Sequence, residues 1–279
     1  MAFTAVAMVC FSANSILCRL ALAPRRIDPA TFTTLRVLSA AAMLSAVVWG
    51  QRRRWPRVAD ARPLSVAALF GYLVFFSFAY TRLGAGTGAL VLIGAVQLTM
   101  FSVAFWEGEA FARLQWVGLG AAIAGFVYLV LPGVSAPDPL GAVLMALSGI
   151  AWGCFSLLAR GADRPAEANA SNFLCCLLPA LVVNLSRWPS LEVTAAGALL
   201  ATASGAIASG LGYIVWYLAL RELPATRAAT VQLSMPALVA LGGAAFLAEP
   251  LTPRLVIASV AMIGGIALVV GQRAGGPRA

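Results

Sequence analysis

Ten stretches of the chain are apolar for about the length of a membrane crossing. They fall at roughly 3–22, 29–50, 64–82, 87–106, 114–132, 139–159, 168–187, 195–219, 226–247 and 254–271. A helix needs about 20 mostly apolar residues to cross the hydrocarbon core. The links are short and rich in proline and charge, as in Pro24-Arg25-Arg26-Ile27-Asp28-Pro29 and Glu249-Pro250-Leu251-Thr252-Pro253. Clusters of that kind end helices. The pattern therefore predicts an all-α membrane protein of ten transmembrane helices. Residues 1–22 read as the first of these and not as a signal peptide, because no basic n-region or small-residue cleavage site is present.

The pattern also repeats. Glu109 through Val130 aligns without gaps to Glu249 through Val270 at an offset of 140, pairing Glu109 with Glu249 and Gly125 with Gly265. At nearly the same offset, Phe11 through Arg19 lies against Trp152 through Arg160, and Phe32 against Phe173. Two repeats are thus expected, residues 1–132 and 139–271, followed by a short cytoplasmic tail at 272–279. Five helices per repeat is an odd number, so the second repeat starts from the opposite side of the membrane. Inverted five-helix repeats place a pseudo-twofold seam near the bilayer midplane, an arrangement found chiefly in transporters. Duplication for stability alone is the competing explanation.

Composition narrows the function further. Of 279 residues, 61% are apolar or aromatic and 10% charged, against about 25% charged in soluble domains. The formal charge of +9 comes from nineteen arginines. Nearly all of them lie between apolar segments, which points to membrane topology and not to nucleic acid. With a cytoplasmic N-terminus, twelve arginines face the cytoplasm and six the outside, and Arg36 lies within a helix. That bias predicts both termini in the cytoplasm. Trp49, Trp55, Trp106 and Trp188 fall near helix ends, as an interfacial belt requires. The five cysteines show no metal spacing and the chain has no histidine, so no metal or other cofactor is expected. The expected partners are the lipid bilayer and a small-molecule substrate, and a single copy can supply the seam.

Polar and aromatic side chains at membrane depth are costly to leave in lipid, so they are candidates to line a cavity. The substrate-binding candidates are Asn14, Tyr80, Gln97, Trp152, Ser156, Tyr213, Trp216, Tyr217 and Gln232. The Asn14 and Gln97 amides can hold the carboxylate or ammonium of a zwitterion, or simply bridge helices. The rings together make a pocket suited to varied side chains. Gly84, Gly86 and Gly88 form a possible hinge, although close packing is the plainer role. Pro236 inside the predicted ninth helix suggests a kink that frees the Gln232 carbonyl. Arg36 is the one charge deep in an apolar segment and can attract a carboxylate or bond to helix-end carbonyls. None of the ten carboxylates lies mid-helix. Proton and sodium paths usually need one there, so movement without tight ion coupling is expected.

Phe11-Ser12-Ala13-Asn14-Ser15, Ala151-Trp152-Gly153-Cys154, Arg36, Pro236, the Glu109 and Glu249 pair and Gly264-Gly265-Ile266-Ala267 together resemble the drug/metabolite transporter superfamily, in its EamA-type ten-helix branch. The similarity covers nearly the whole chain and is greatest to aromatic and broad-range amino acid exporters of the bacterial inner membrane. Val96 departs from it, since the first repeat lacks the proline that Pro236 supplies in the second. The resemblance implies alternating-access export of amino acids. Export of drugs, nucleosides or other small metabolites is the alternative. A membrane enzyme would need a catalytic set at one depth, and Glu107 and Glu109 point apart on a helix.

Overall fold

The computed structural model describes residues 2–108, 111–133, 136–159, 164–187, 191–222 and 231–272. They form helices α1 (Ala2–Leu22), α2 (Pro29–Arg52), α3 (Pro63–Ala79), α4 (Ala85–Trp106), α5 (Arg113–Val130), α6 (Pro139–Leu158) and α7 (Pro165–Ser186). Then come α8, α9 (Met235–Leu247) and α10 (Pro253–Gln272). The helix α8 runs through three segments, Ala195–Ala203, a π-type stretch Ser204–Leu211, and Gly212–Glu222. Among the described residues eight spans are long and apolar enough to cross a membrane, and Pro63–Ala79 and Met235–Leu247 are shorter apolar helices. The all-α, ten-helix expectation holds.

Local chemistry sets the helix starts. Asp28 accepts hydrogen bonds from the Ala30 and Thr31 amides, each at 3.0 Å, with Pro29 at the first helical position. Asp138 accepts from Gly141 N at 2.7 Å ahead of Pro139 in the same way. Each satisfies amides that the first turn leaves without partners.

Two sequence expectations change here. Pro236 does not kink a continuous helix. Residues 233–234 form a turn and Pro236 stands in the first turn of α9, where its missing N–H breaks no bond. The Gln232 carbonyl then ends the helical stretch ahead of that turn and does not sit inside a kinked helix. Residues 226–230 of the expected ninth helix, and the partner glutamate Glu109, lie outside the described residues, as do Trp188, Arg160 and 273–279 of the tail.

The dominant helix pairs nearly all cross between the two halves of the chain. Helix α1 packs against α8 and α9, while α6 packs against α3 and α4. Helix α2 packs on α7 and α8, and α7 on α2 and α3; α4 meets α9, and α5 meets α10. Exchanging α1–α5 with α6–α10 turns each of these pairs into itself or into another in the set. Equivalent helices also run antiparallel. Asn184 Nδ2 donates to Thr31 Oγ1 at 2.8 Å near one end of the α2–α7 pair, while Arg54 meets Glu167 near the other. Gln115 Nε2 donates to the Val269 carbonyl at 3.1 Å and Arg254 Nε to the Tyr128 carbonyl at 3.0 Å, at opposite ends of α5–α10. Reversal of that kind is what an inverted repeat requires.

The interlocking yields two groups, α1–α8–α9 and α3–α4–α6, with α2 and α7 alongside. Outward faces carry exposed Leu178, Leu199, Phe246 and Val260, surface that only lipid or another apolar partner would tolerate. Trp106, at the end of α4, is 82% exposed, and Trp49 stacks on Trp55 with centroids 6.2 Å apart.

Candidate functional site

Aromatic rings meet where the two groups face each other. From α3 and α6 come Tyr72 and Trp152, with ring centroids 4.7 Å apart. From α1 and α8 come Phe11, Tyr213 and Trp216, with Phe11 5.7 Å from Tyr213 and 6.0 Å from Trp216. Trp152 and Tyr213 bridge the groups at 5.4 Å. Phe155 on α6 and Phe173 on α7 complete the cluster. Phe11, Trp152 and Ile214 stay partly exposed, whereas Tyr72 and Tyr213 are buried. Offset and tilted ring contacts of this kind accept flat or apolar groups without demanding one shape.

Polar groups flank the rings. Arg36 on α2 is 1% exposed. Its Nη2 donates to Tyr72 Oη at 3.1 Å and its Nε to Ser209 Oγ at 3.3 Å. Its guanidinium lies 5.4 Å from the Tyr72 centroid and 5.0 Å from that of Phe76. Helix α8 can approach α2 this closely only because residue 205 is glycine. A Cβ there would lie 2.2 Å from the Arg36 carbonyl oxygen and 2.0 Å from Ser39 Oγ. The π-type stretch widens the helix at that point and presents both Ser204 and Ser209 inward, where both are buried. Ser204 Oγ donates to Asn14 Oδ1 at 2.6 Å.

The remaining expected residues divide. Trp152, Tyr213 and Trp216 come together in the ring cluster. Asn14 joins α1 to α8. Tyr80 is fully buried, packs edge-on to Phe76 at 4.7 Å and donates its hydroxyl to the Ala85 carbonyl at 3.3 Å, so it belongs to the α3–α4 turn. Gln97 is buried on α4, and its side-chain amide forms no hydrogen bond among the described residues. Ser156 spends its hydroxyl on the Trp152 carbonyl at 2.7 Å. Gln232 is half-buried ahead of the turn at 233–234, and the Tyr217 side chain lies outside the described residues. Tyr72, Phe11, Phe173, Ser204 and Ser209 were not expected at the site. Tyr72 carries no mark among the aromatic residues of Phe70–Phe76, and only its bond to Arg36 in space singles it out.

The ends of the seam differ. At the face holding links 23–28, 80–84 and 248–252, Arg19 Nε lies 2.8 Å from Glu249 Oε1 and Arg19 Nη1 donates to the Tyr80 carbonyl at 3.0 Å. The Ala85 amide donates to Glu249 Oε2 at 2.6 Å. Glu249 is aimed there by the end of α9, where Ala248 adopts the left-handed conformation (φ 52) and the Glu249 amide returns to the Gly243 carbonyl at 3.1 Å. Gly84 leaves room for the carboxylate, since a Cβ would sit 2.9 Å from Glu249 Oε2. Gly86 lies against Ala240 of α9 and Gly88 against the Tyr80 ring. At the opposite face, Arg52, Arg54 and Arg164 surround Glu167. There a cavity of about 410 Å³ opens, lined by residues including Arg57, Arg62, Ser65, Leu158 and Asn172.

An antiparallel ten-helix bundle with an aromatic seam between interlocked groups defines a multi-pass membrane transporter scaffold. The sequence model of the EamA-like transporter family matches residues 1–131 and 139–271, and the chain belongs to that family. It is 48% identical over 272 residues to the uncharacterized protein PA1977 of Pseudomonas aeruginosa, covering 98% of this chain and 94% of that one. An uncharacterized transporter of Archaeoglobus fulgidus is 25% identical over 255 residues, covering 89% and 91%. The uncharacterized transporter YwfM of Bacillus subtilis is 23% identical over 260 residues, covering 89% and 86%. A solved crystal structure superimposes with a TM-score of 0.63 at 22% identity, covering 95% of this chain and 97% of that one, which supports the fold.

Proposed function

We propose that this transporter exports amino acids, aromatic and other neutral ones with broad specificity, from the cytoplasm of a bacterial cell by alternating access. It acts in the inner membrane with both termini cytoplasmic, and one copy is sufficient. The observation that carries the proposal is the continuous ring contact from Tyr72 through Trp152 to Tyr213 and Phe11, which spans both helix groups. Rocking α1–α8–α9 against α3–α4–α6 would open that contact to one side and then the other. The moving units are then these interlocked groups and not the two halves of the sequence, and their duplicated origin at 1–132 and 139–271 is part of the proposal. In this scheme Gly86 serves as the close contact of α4 with α9 around which the groups tilt, while Gly84 and Gly88 leave room for the Glu249 carboxylate and the Tyr80 ring.

The test is counterflow of labelled amino acids in liposomes holding the purified protein, without an imposed ion gradient. Flux of aromatic and neutral amino acids is expected, reduced about tenfold by Trp152→Ala through loss of ring contact. Absence of flux for all twenty, or flux that appears only under a proton or sodium gradient, would count against the proposal or its uncoupled form respectively.

A further inference from the structure

Resting on the proposed function, we infer that Arg36 is an anion site and that the transported molecule is recognised as a carboxylate on an apolar or aromatic body, with its amino group dispensable. A guanidinium has five donors. In Arg36, Nε and Nη2 reach only neutral hydroxyls, of Ser209 and Tyr72, and Nη1 is buried with no partner among the described residues. Among the described residues no acidic side chain pairs with it either. The described ion pairs engage Glu249, Glu167 and Asp138 at the helix ends, and Asp28 caps α2. A buried cation without a counter-ion is costly, and two hydroxyl bonds and ring faces offset only part of that.

A monovalent carboxylate removes the deficit. It matches the planar guanidinium fork and cancels one charge with one charge. A phosphate dianion would leave an excess negative charge with only neutral hydroxyls to share it. Tyr72 then links the anion site to the rings, because it bonds Arg36 and lies 4.7 Å from Trp152. The body of the ligand rests along Trp152 and Tyr213. Around it stand hydroxyls, an amide already bonded to Ser204 and aromatic rings. Among the described residues no carboxylate is there to hold an ammonium, so the amine contributes little to recognition.

The test compares phenylalanine, 3-phenylpropanoate and phenethylamine on the full-length protein in two assays, thermal stabilisation in detergent and competition in counterflow. Both carboxylates should stabilise and compete within a few-fold of each other, and phenethylamine should do neither. Arg36→Gln should weaken both carboxylates about tenfold or more, the effect of losing a charge-assisted bond, and Arg36→Lys should recover part of it. Should Arg36→Gln not fold, the ligand series on the unaltered protein and on Tyr72→Phe decides, the latter weakening carboxylates and leaving phenethylamine unchanged. Phenethylamine matching the carboxylates, or no stabilisation by either carboxylate, overturns the anion site. A protein that moves phenylalanine and is equally blocked by phenethylamine remains a transporter without this site. Lack of flux with intact carboxylate stabilisation discards the transport proposal and keeps the site.

Discussion

At one end of the seam an ion pair within one helix group bonds the backbone of the other, and at the other end a cluster of three arginines around one glutamate does not. Arg19 of α1 and Glu249 after α9 belong to one group, and the carbonyl of Tyr80 and amide of Ala85 that they hold belong to the other. Both side chains are only 20% exposed. At the opposite end Arg52 and Arg54 of the α2 side and Arg164 meet Glu167 of α7, helices that flank the groups without joining them. Those arginines are about half exposed. Among the described residues no charged side chain bonds across the seam there, and the 410 Å³ cavity lies at that end. The seam is therefore fastened at the Glu249 end, and what fastens it is connectivity and the burial of both partners, not the number of charges.

The largest effect is expected from Glu249→Gln. The amide keeps the shape and removes the charge that Arg19 Nε and the Ala85 amide both address. Charge-assisted bonds contribute about 1.5–3 kcal/mol each, and with four-fifths of the side chain buried little is lost to screening. Hydrogen exchange across 80–88 and 246–252 should rise about tenfold or more. Arg19→Gln should give a similar rise, and the double variant should add little because both remove one bond. Unchanged exchange at Ala85 would mean that Glu249 fastens nothing.

The sequence carried the helices far better than this bond. Each crossing announces itself by length and apolar content, and Asp28-Pro29 and Asp138-Pro139 mark their starts by cap chemistry. Glu249 stood out as a repeated charge, but its partner Arg19 lies 230 residues away, and no local period relates them. The same blindness hid Tyr72, whose significance depends on Arg36 from another helix. Helices that are apolar nearly all round offer no amphipathic stripe to tell which face meets which neighbour. That is why the interlocking of α1 with α8 and α6 with α3 had to come from the fold. Pro236 misled for a related reason. Within a long apolar run a proline reads as a kink, while the chain turns at 233–234 and starts a helix there.

A smaller effect is expected from Glu167→Gln at the opposite end. Glu167 itself is only 11% exposed, but its three arginines are about half exposed, and pairs with one partner that far in water are worth about 0–1 kcal/mol each. Exchange across 53–62 should rise a few-fold, within about 1 kcal/mol. Salt sharpens the contrast. At about 1 M ionic strength the screening length shrinks to about 3 Å, so the Glu167→Gln effect should largely vanish, while that of Glu249→Gln should persist. Equal salt sensitivity at both ends would remove burial as the distinction.

The smallest effect belongs to Arg82→Ala, on the same face as Glu249. Arg82 Nη1 lies 3.5 Å from Asp138 Oδ2, with side chains 47% and 36% exposed. A pair that long and that wet should contribute nothing measurable, so melting temperature and exchange should match the unaltered protein within error. Asp138→Ala should behave differently, costing about 1 kcal/mol, because Asp138 also accepts the Gly141 amide at 2.7 Å and so caps α6. A matched loss in both variants would mean that the ion pair, and not the cap, holds this corner. Location on the fastened face would then count for more than burial, reversing the distinction drawn between Glu249 and Glu167.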